Sequence, residues 1–143
     1  MKVQVVKFTQ LEKEGEKSWE VFADEATQFT RKTILKNVRI TLYQEGIPAS
    51  EGEAKKVVID EYSNLSLEGE IFIVSFADKA WLKTSELFWD NSEKKLYTEK
   101  EVTVKKGELI ITGKGLIAKP DLSLIIIKSQ VTTYIDEGSK GGE

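Results

Sequence analysis

The chain has 143 residues, 40% of them hydrophobic and 31% charged, enough for one globular domain. A domain of that length buries roughly two thirds of the surface its unfolded chain exposes. Disorder and membrane spanning are both disfavoured, because no apolar run approaches the roughly 20 residues that cross a bilayer. With 21 Lys and Arg against 24 Asp and Glu the formal charge is −3, and no basic block follows a phosphate backbone, so no nucleic acid is expected as a partner.

The chain contains no Cys and no His. Disulfides, thiolate nucleophiles and thiolate zinc sites are therefore excluded, along with the usual general base near neutral pH and the commonest metal ligand. Most familiar active sites are thereby excluded, although the many Asp and Glu leave a carboxylate pair open on composition alone; that the protein is not an enzyme and has no catalytic residue, cofactor or metal is the expectation once the resemblance described below is added.

In chain order, residues 1–7 read as a lead-in without the apolar core and cleavage site of a signal peptide. Between Trp19 and Phe29 two patterns compete. Trp19, Phe22, Ala26 and Phe29 fit helical offsets, whereas Trp19, Val21 and Ala23 alternate as a strand that turns near Glu25; the strand is the reading adopted. Alternation then recurs at Val38, Ile40 and Leu42, at Val57 and Ile59, at Ile71 and Ile73, at Leu87 and Trp89, at Val102 and Val104, and at Leu109 and Ile111. Turn chemistry separates these runs: Gln44-Glu45-Gly46, Asp90-Asn91-Ser92, Lys106-Gly107 and Lys119-Pro120-Asp121. Phe72, Phe88 and Trp89 read as aromatic filler of a core. Residues 136–143, with three glycines and no apolar side chain, read as a flexible tail.

Aligned on itself, the chain repeats. Asn37-Val38-Arg39-Ile40-Thr41, Gly69-Glu70-Ile71-Phe72-Ile73, Lys100-Glu101-Val102-Thr103-Val104 and Gln130-Val131-Thr132-Thr133 recur at about 30-residue spacing. A second set falls between them: Val21-Phe22-Ala23-Asp24, Ala54-Lys55-Lys56-Val57, Thr84-Ser85-Glu86-Leu87 and Thr112-Gly113-Lys114-Gly115-Leu116. Each unit contributes two strands and two turns and cannot bury its own apolar face, so the units stack into an all-β body with a continuous interior and two terminal edges. The interior is either a packed core or a groove for an elongated apolar ligand, and a terminal edge can pair with a strand of another protein or of a second copy.

Smaller signals carry little. Thr112-Gly113-Lys114-Gly115 lacks the spacing of a phosphate loop, and its glycines suit a bulge or a close contact. Asn64-Leu65-Ser66 reads as a polar turn. No motif sets two carboxylates across a cleft. Trp81 is the residue to inspect for a carbohydrate-binding or structural jellyroll, which would present aromatics on an outer face.

Three stretches resemble the periplasmic domain of LptC, the lipopolysaccharide export component, within the broader LptA/OstA-like β-jellyroll family. The first is Lys17-Ser18-Trp19-Glu20-Val21-Phe22-Ala23-Asp24-Glu25-Ala26. The second is Gly69-Glu70-Ile71-Phe72-Ile73 followed by Trp81-Leu82-Lys83-Thr84-Ser85-Glu86-Leu87-Phe88-Trp89-Asp90. The third joins Leu96-Tyr97-Thr98-Glu99-Lys100-Glu101-Val102-Thr103-Val104 to Thr112-Gly113-Lys114-Gly115-Leu116.

The resemblance implies an open, twisted antiparallel β-jellyroll, a β-taco of stacked strand pairs over residues 8–135. It implies a periplasmic, non-catalytic carrier that accepts lipopolysaccharide from an inner-membrane ABC export complex and passes it to an LptA-like bridge protein by edge-strand addition. An inner-membrane anchor would precede the chain, which is expected to be soluble as given; the alternatives are an anchorless bridge protein or a carbohydrate-binding or structural module. The inward, ligand-binding positions would be Val38, Ile40, Val57, Ile59, Ile71, Ile73, Leu87, Trp89, Val102, Val104, Ile111 and Leu116. The outgoing partner edge would run from Leu124 to Ile135, through Ile126 and Val131.

Overall fold

The computed structural model describes residues 5–135. Its nine strands are β1 (Val6–Leu11), β2 (Lys17–Gln28), β3 (Lys32–Gln44), β4 (Ile47–Asp60), β5 (Leu65–Ser75), β6 (Trp81–Asp90), β7 (Lys95–Lys106), β8 (Leu109–Ala118) and β9 (Ile125–Ile135). They form one sheet whose spatial order is the chain order, and every neighbouring pair is antiparallel. Among the described residues β1 and β9 are its edges. β1 begins at Val6, inside the stretch read as a lead-in; the tail from residue 136 lies outside the described residues.

The predicted turns stand where their chemistry puts them. Glu45 and Gly46 both take positive φ, 54° and 79°, and join β3 to β4 in the two-residue hairpin that suits the twist of paired strands. The Asp90 carboxylate accepts the backbone N–H groups of Ser92 and Glu93. A turn that the sequence reading does not mark follows Asp60, whose carboxylate accepts the N–H groups of Tyr62 and Asn64, whereas Leu65 and Ser66, read as part of a polar turn, begin β5 with Leu65 buried. The segment from Trp19 is a strand, as chosen over the helix. It does not turn near Glu25, however, because Glu25, Ala26, Thr27 and Gln28 stay paired with β3 and the turn comes only after Gln28.

The strands from β2 onward span two walls. Midway along them the sheet creases: the ladder breaks register between Glu53 and Lys56, Glu68 and Ile71, Thr84 and Phe88, Thr98 and Glu101, and Thr112 and Gly113. Asn37, Gly69, Glu70 and Gly115 take positive φ on the same line. Bulges of this kind bend a strand and change which way its side chains point. Both sets of the internal repeat fall along this crease. Gly113 is required there by close approach, since a Cβ would stand 2.4 Å from Cγ2 of Ile127 and 2.8 Å from the carbonyl oxygen of Ser129.

Inward side chains of both walls make one apolar core. On the first wall the cross-strand row Val21, Ile40, Gly52, Ile73, Leu82, Val104 runs from β2 to β7. On the second the row Leu65, Trp89, Leu96, Ala118 runs from β5 to β8. All the side chains of both rows are buried, glycine aside. Of the three aromatics read as filler only Trp89 is in this core. Phe72 and Phe88 point to the outer face, where Phe72 lies 5.8 Å from the Trp81 ring and Phe88 stacks at 5.3 Å on Tyr97. A run such as Leu87-Phe88-Trp89 is apolar on both faces, so period alone leaves its middle residue unassigned.

Candidate functional site

The twelve positions read as inward all share the inner face. Val38, Ile40, Val57, Ile71, Ile73, Leu87, Trp89, Val102, Val104 and Leu116 are buried. Ile59 and Ile111 are half-buried but pair with the inward Leu65 and Val104. The same interior contains residues that the sequence reading did not single out as ligand-facing: Leu35, Leu65, Leu67, Leu82, Leu96 and Leu122. Leu65 and Leu67 alternate as the others do and could have been found. Leu122 sits in the β8–β9 turn at 0% exposure, where no periodic signal points to it.

Opposite the crease the walls end in two rims of turns. In an antiparallel meander successive turns alternate sides, so the turns after β1, β3, β5 and β7 form one rim and those after β2, β4, β6 and β8 the other. Side chains cross between them. Lys94 Nζ lies 2.9 Å from the Glu12 carboxylate, and Asn91 Nδ2 donates to the same oxygen at 3.5 Å. Trp19 Nε1 donates to the Ser63 carbonyl at 2.9 Å, and Ser63 Oγ to Gln10 Oε1 at 2.6 Å. Toward the far end Lys106 Nζ donates to the Leu122 carbonyl at 2.6 Å. The Ser18 hydroxyl also donates to Glu12; with Lys94 it holds that carboxyl below the usual carboxylate range, against the opposing effect of desolvation.

A hollow of about 460 Å³ lies along this seam, with Lys17, Tyr43 and Gln44 on one rim and Lys94, Lys95 and Pro120 on the other. Among the described residues the buried side-chain atoms without a hydrogen-bond partner are Gln44 Oε1, beside the β3–β4 turn, and Ser50 Oγ, inside β4 where Ser50 pairs with Leu42 and Ser75. No group of His, Cys, Asp or Glu among the described residues is arranged to hold a metal ion.

The outer face differs. Trp81 is half-buried beside Phe72, and Lys83 Nζ lies 5.1 Å from its ring centroid and 5.4 Å from that of Phe72, so the two rings share one cation. At the C-terminal edge Leu124 precedes β9 and belongs to the turn, which departs from the expected strand edge. Ile126 points outward at 49% exposure, whereas Ile135 pairs with Leu109 on the inner side at 57%. Val131 lies on β9, and its side chain is outside the described residues. Beyond β8, β9 has no partner strand among the described residues.

A folded antiparallel meander with an apolar interior and two strand edges defines the class, an open β-jellyroll. The lipopolysaccharide-assembly, LptC-related family matches residues 1–136, and the chain belongs to that family. Among solved structures it is similar to LptH of Pseudomonas aeruginosa, described as the LptA-homologous periplasmic component of the conserved lipopolysaccharide transport device. The two share 12% identity with a TM-score of 0.60 over 76% of this chain and 80% of that one. No curated protein matches the sequence. No helix among the described residues is long and apolar enough to cross a membrane.

Proposed function

We propose that the protein is a non-catalytic periplasmic carrier that holds lipopolysaccharide by its acyl chains between the two walls. It would receive the lipid from an inner-membrane ABC export complex and pass it to the next jellyroll of a bridge. The observation that carries this reading is the interior itself: one face of a nine-stranded sheet is apolar on both sides of the crease, and the chain belongs to a lipopolysaccharide-assembly family. Acyl chains placed there gain roughly 25 cal/mol for each Å² of apolar surface removed from water. Burial has no direction, so transport in one sense draws on the energy of the transporter.

The outgoing contact is assigned to β9, whose free backbone edge offers N–H and C=O groups to a strand of a bridge protein. An inner-membrane anchor on the full-length protein belongs to the same reading. Trp81 does not favour a carbohydrate platform, since its ring is packed against Phe72 and covered by Lys83.

The test is a photo-crosslinking residue at Ile73 with the transporter running. Capture of lipopolysaccharide there, dependent on ATP, is the expected result. Capture confined to outward positions such as Lys83 would overturn the reading.

A further inference from the structure

Two serines stand side by side among the apolar side chains of the inner face. Ser50 on β4 pairs with Leu42 on β3 and with Ser75 on β5, and all three side chains have 0% exposure. Leu42 belongs to the core, so the row it shares with the two serines faces the interior.

The two hydroxyls differ in what they bond. Ser75 Oγ accepts the backbone N–H of Ala77 at 3.2 Å, and its hydroxyl donates to the Asp78 carboxylate. Ser50 Oγ has no partner. An unpaired buried hydroxyl costs free energy that an alanine in its place would avoid, so its presence calls for a reason.

The missing partner can be specified. A hydroxyl both donates and accepts, and the other orphan at this end of the wall, Gln44 Oε1, is an acceptor that lacks a donor. An ester or carboxylate oxygen only accepts, whereas a second hydroxyl does both. Position narrows it further. Ser50 stands about 10 Å along β4 from Ile47, where that strand leaves its turn. A polar head stays in water, so a chain entering this end of the interior brings its head-proximal carbons to Ser50 rather than its methyl end.

Resting on the carrier reading, we propose that Ser50 is a specificity-determining residue, whose hydroxyl bonds a hydroxyl group carried near the head of an acyl chain. The interior then discriminates hydroxylated chains from plain chains of the same length.

The test uses the whole chain with β-hydroxymyristate and myristate, each below its micellar concentration, in equilibrium dialysis. Ser50→Ala is expected to weaken binding of the hydroxylated acid about fivefold, the size of one hydrogen bond between neutral groups, and to leave the plain acid within about twofold. Without ligand, Ser50→Ala is expected to melt no lower than the parent, since it removes no hydrogen bond. Ser75→Ala, which does lose partners, is expected to melt lower and to keep the parent's ratio of the two affinities. Weakening of both acids alike, or of neither, would overturn the role of Ser50 and leave the carrier reading standing. A lower melting temperature of ligand-free Ser50→Ala would do the same, because a partner, ordered water included, would already hold the hydroxyl. Binding of neither acid by the parent would overturn both.

Discussion

The crease and the rims are the two boundaries between the walls, and they are built from different materials. At the crease the walls are continuous through backbone, bent by bulges and by residues such as Asn37, Gly69 and Gly115 that take positive φ. At the rims they meet through Glu12, Lys94, Asn91, Trp19, Ser63 and Lys106, side chains whose partners lie far away in sequence. One boundary is therefore held by backbone hydrogen bonds and the other by side-chain contacts alone.

Three experiments can break or sharpen that contrast. The largest effect belongs to the shared interior: Trp89→Ala is expected to cost about 3–5 kcal/mol in urea unfolding, because the ring is fully buried in the core. A cost below about 1 kcal/mol would mean that the walls are not packed on each other there.

The crease comes next. Gly115 has φ of +82°, and a Cβ there would approach Lys128 Cδ to 2.9 Å, so Gly115→Val is expected to destabilise by about 1–2 kcal/mol. Equilibrium unfolding with no loss of stability would show that the bend does not depend on this backbone conformation.

The rim effect is the smallest and depends on pH. The Ser18 hydroxyl and Lys94 lower the folded-state pKa of Glu12. A lowered value contributes stability that is complete above the unfolded value of about 4.3 and is lost as pH falls through the folded one. Thermal unfolding of the parent is therefore expected to weaken more than that of Glu12→Gln on going from neutral pH to about pH 3. The substitution itself should cost under about 1 kcal/mol at neutral pH, in keeping with a partly solvated ion pair. Identical pH profiles would remove Glu12 from the account.

The same contrast explains what could be read from the sequence. The crease and the walls are local and periodic: alternation places Val38, Ile40, Ile71, Ile73, Val102 and Val104 on the inner face, and the segments of the internal repeat coincide with the bend. Turn chemistry likewise located Glu45-Gly46 and the Asp90 turn. Where both faces of a strand are apolar, the pattern misled, as at Phe72 and Phe88. The end of β2 was misjudged because polar outward residues such as Glu25 look like a turn when their ladder partners are unknown. The rims were invisible: nothing local in Glu12, Ser63 or Lys94 announces a partner 40 or more residues away, and Leu122 is buried from within a turn.

The central claim is that acyl chains reach the space between the walls. The chain has three tryptophans, Trp19 and Trp89 inside and Trp81 on the outer face. A Trp19→Phe/Trp81→Phe variant reports from Trp89 alone, and a Trp19→Phe/Trp89→Phe variant from Trp81 alone. With lipopolysaccharide carrying brominated acyl chains, the account expects quenching of Trp89 fluorescence and none of Trp81. Quenching of Trp81 with Trp89 unaffected would contradict it.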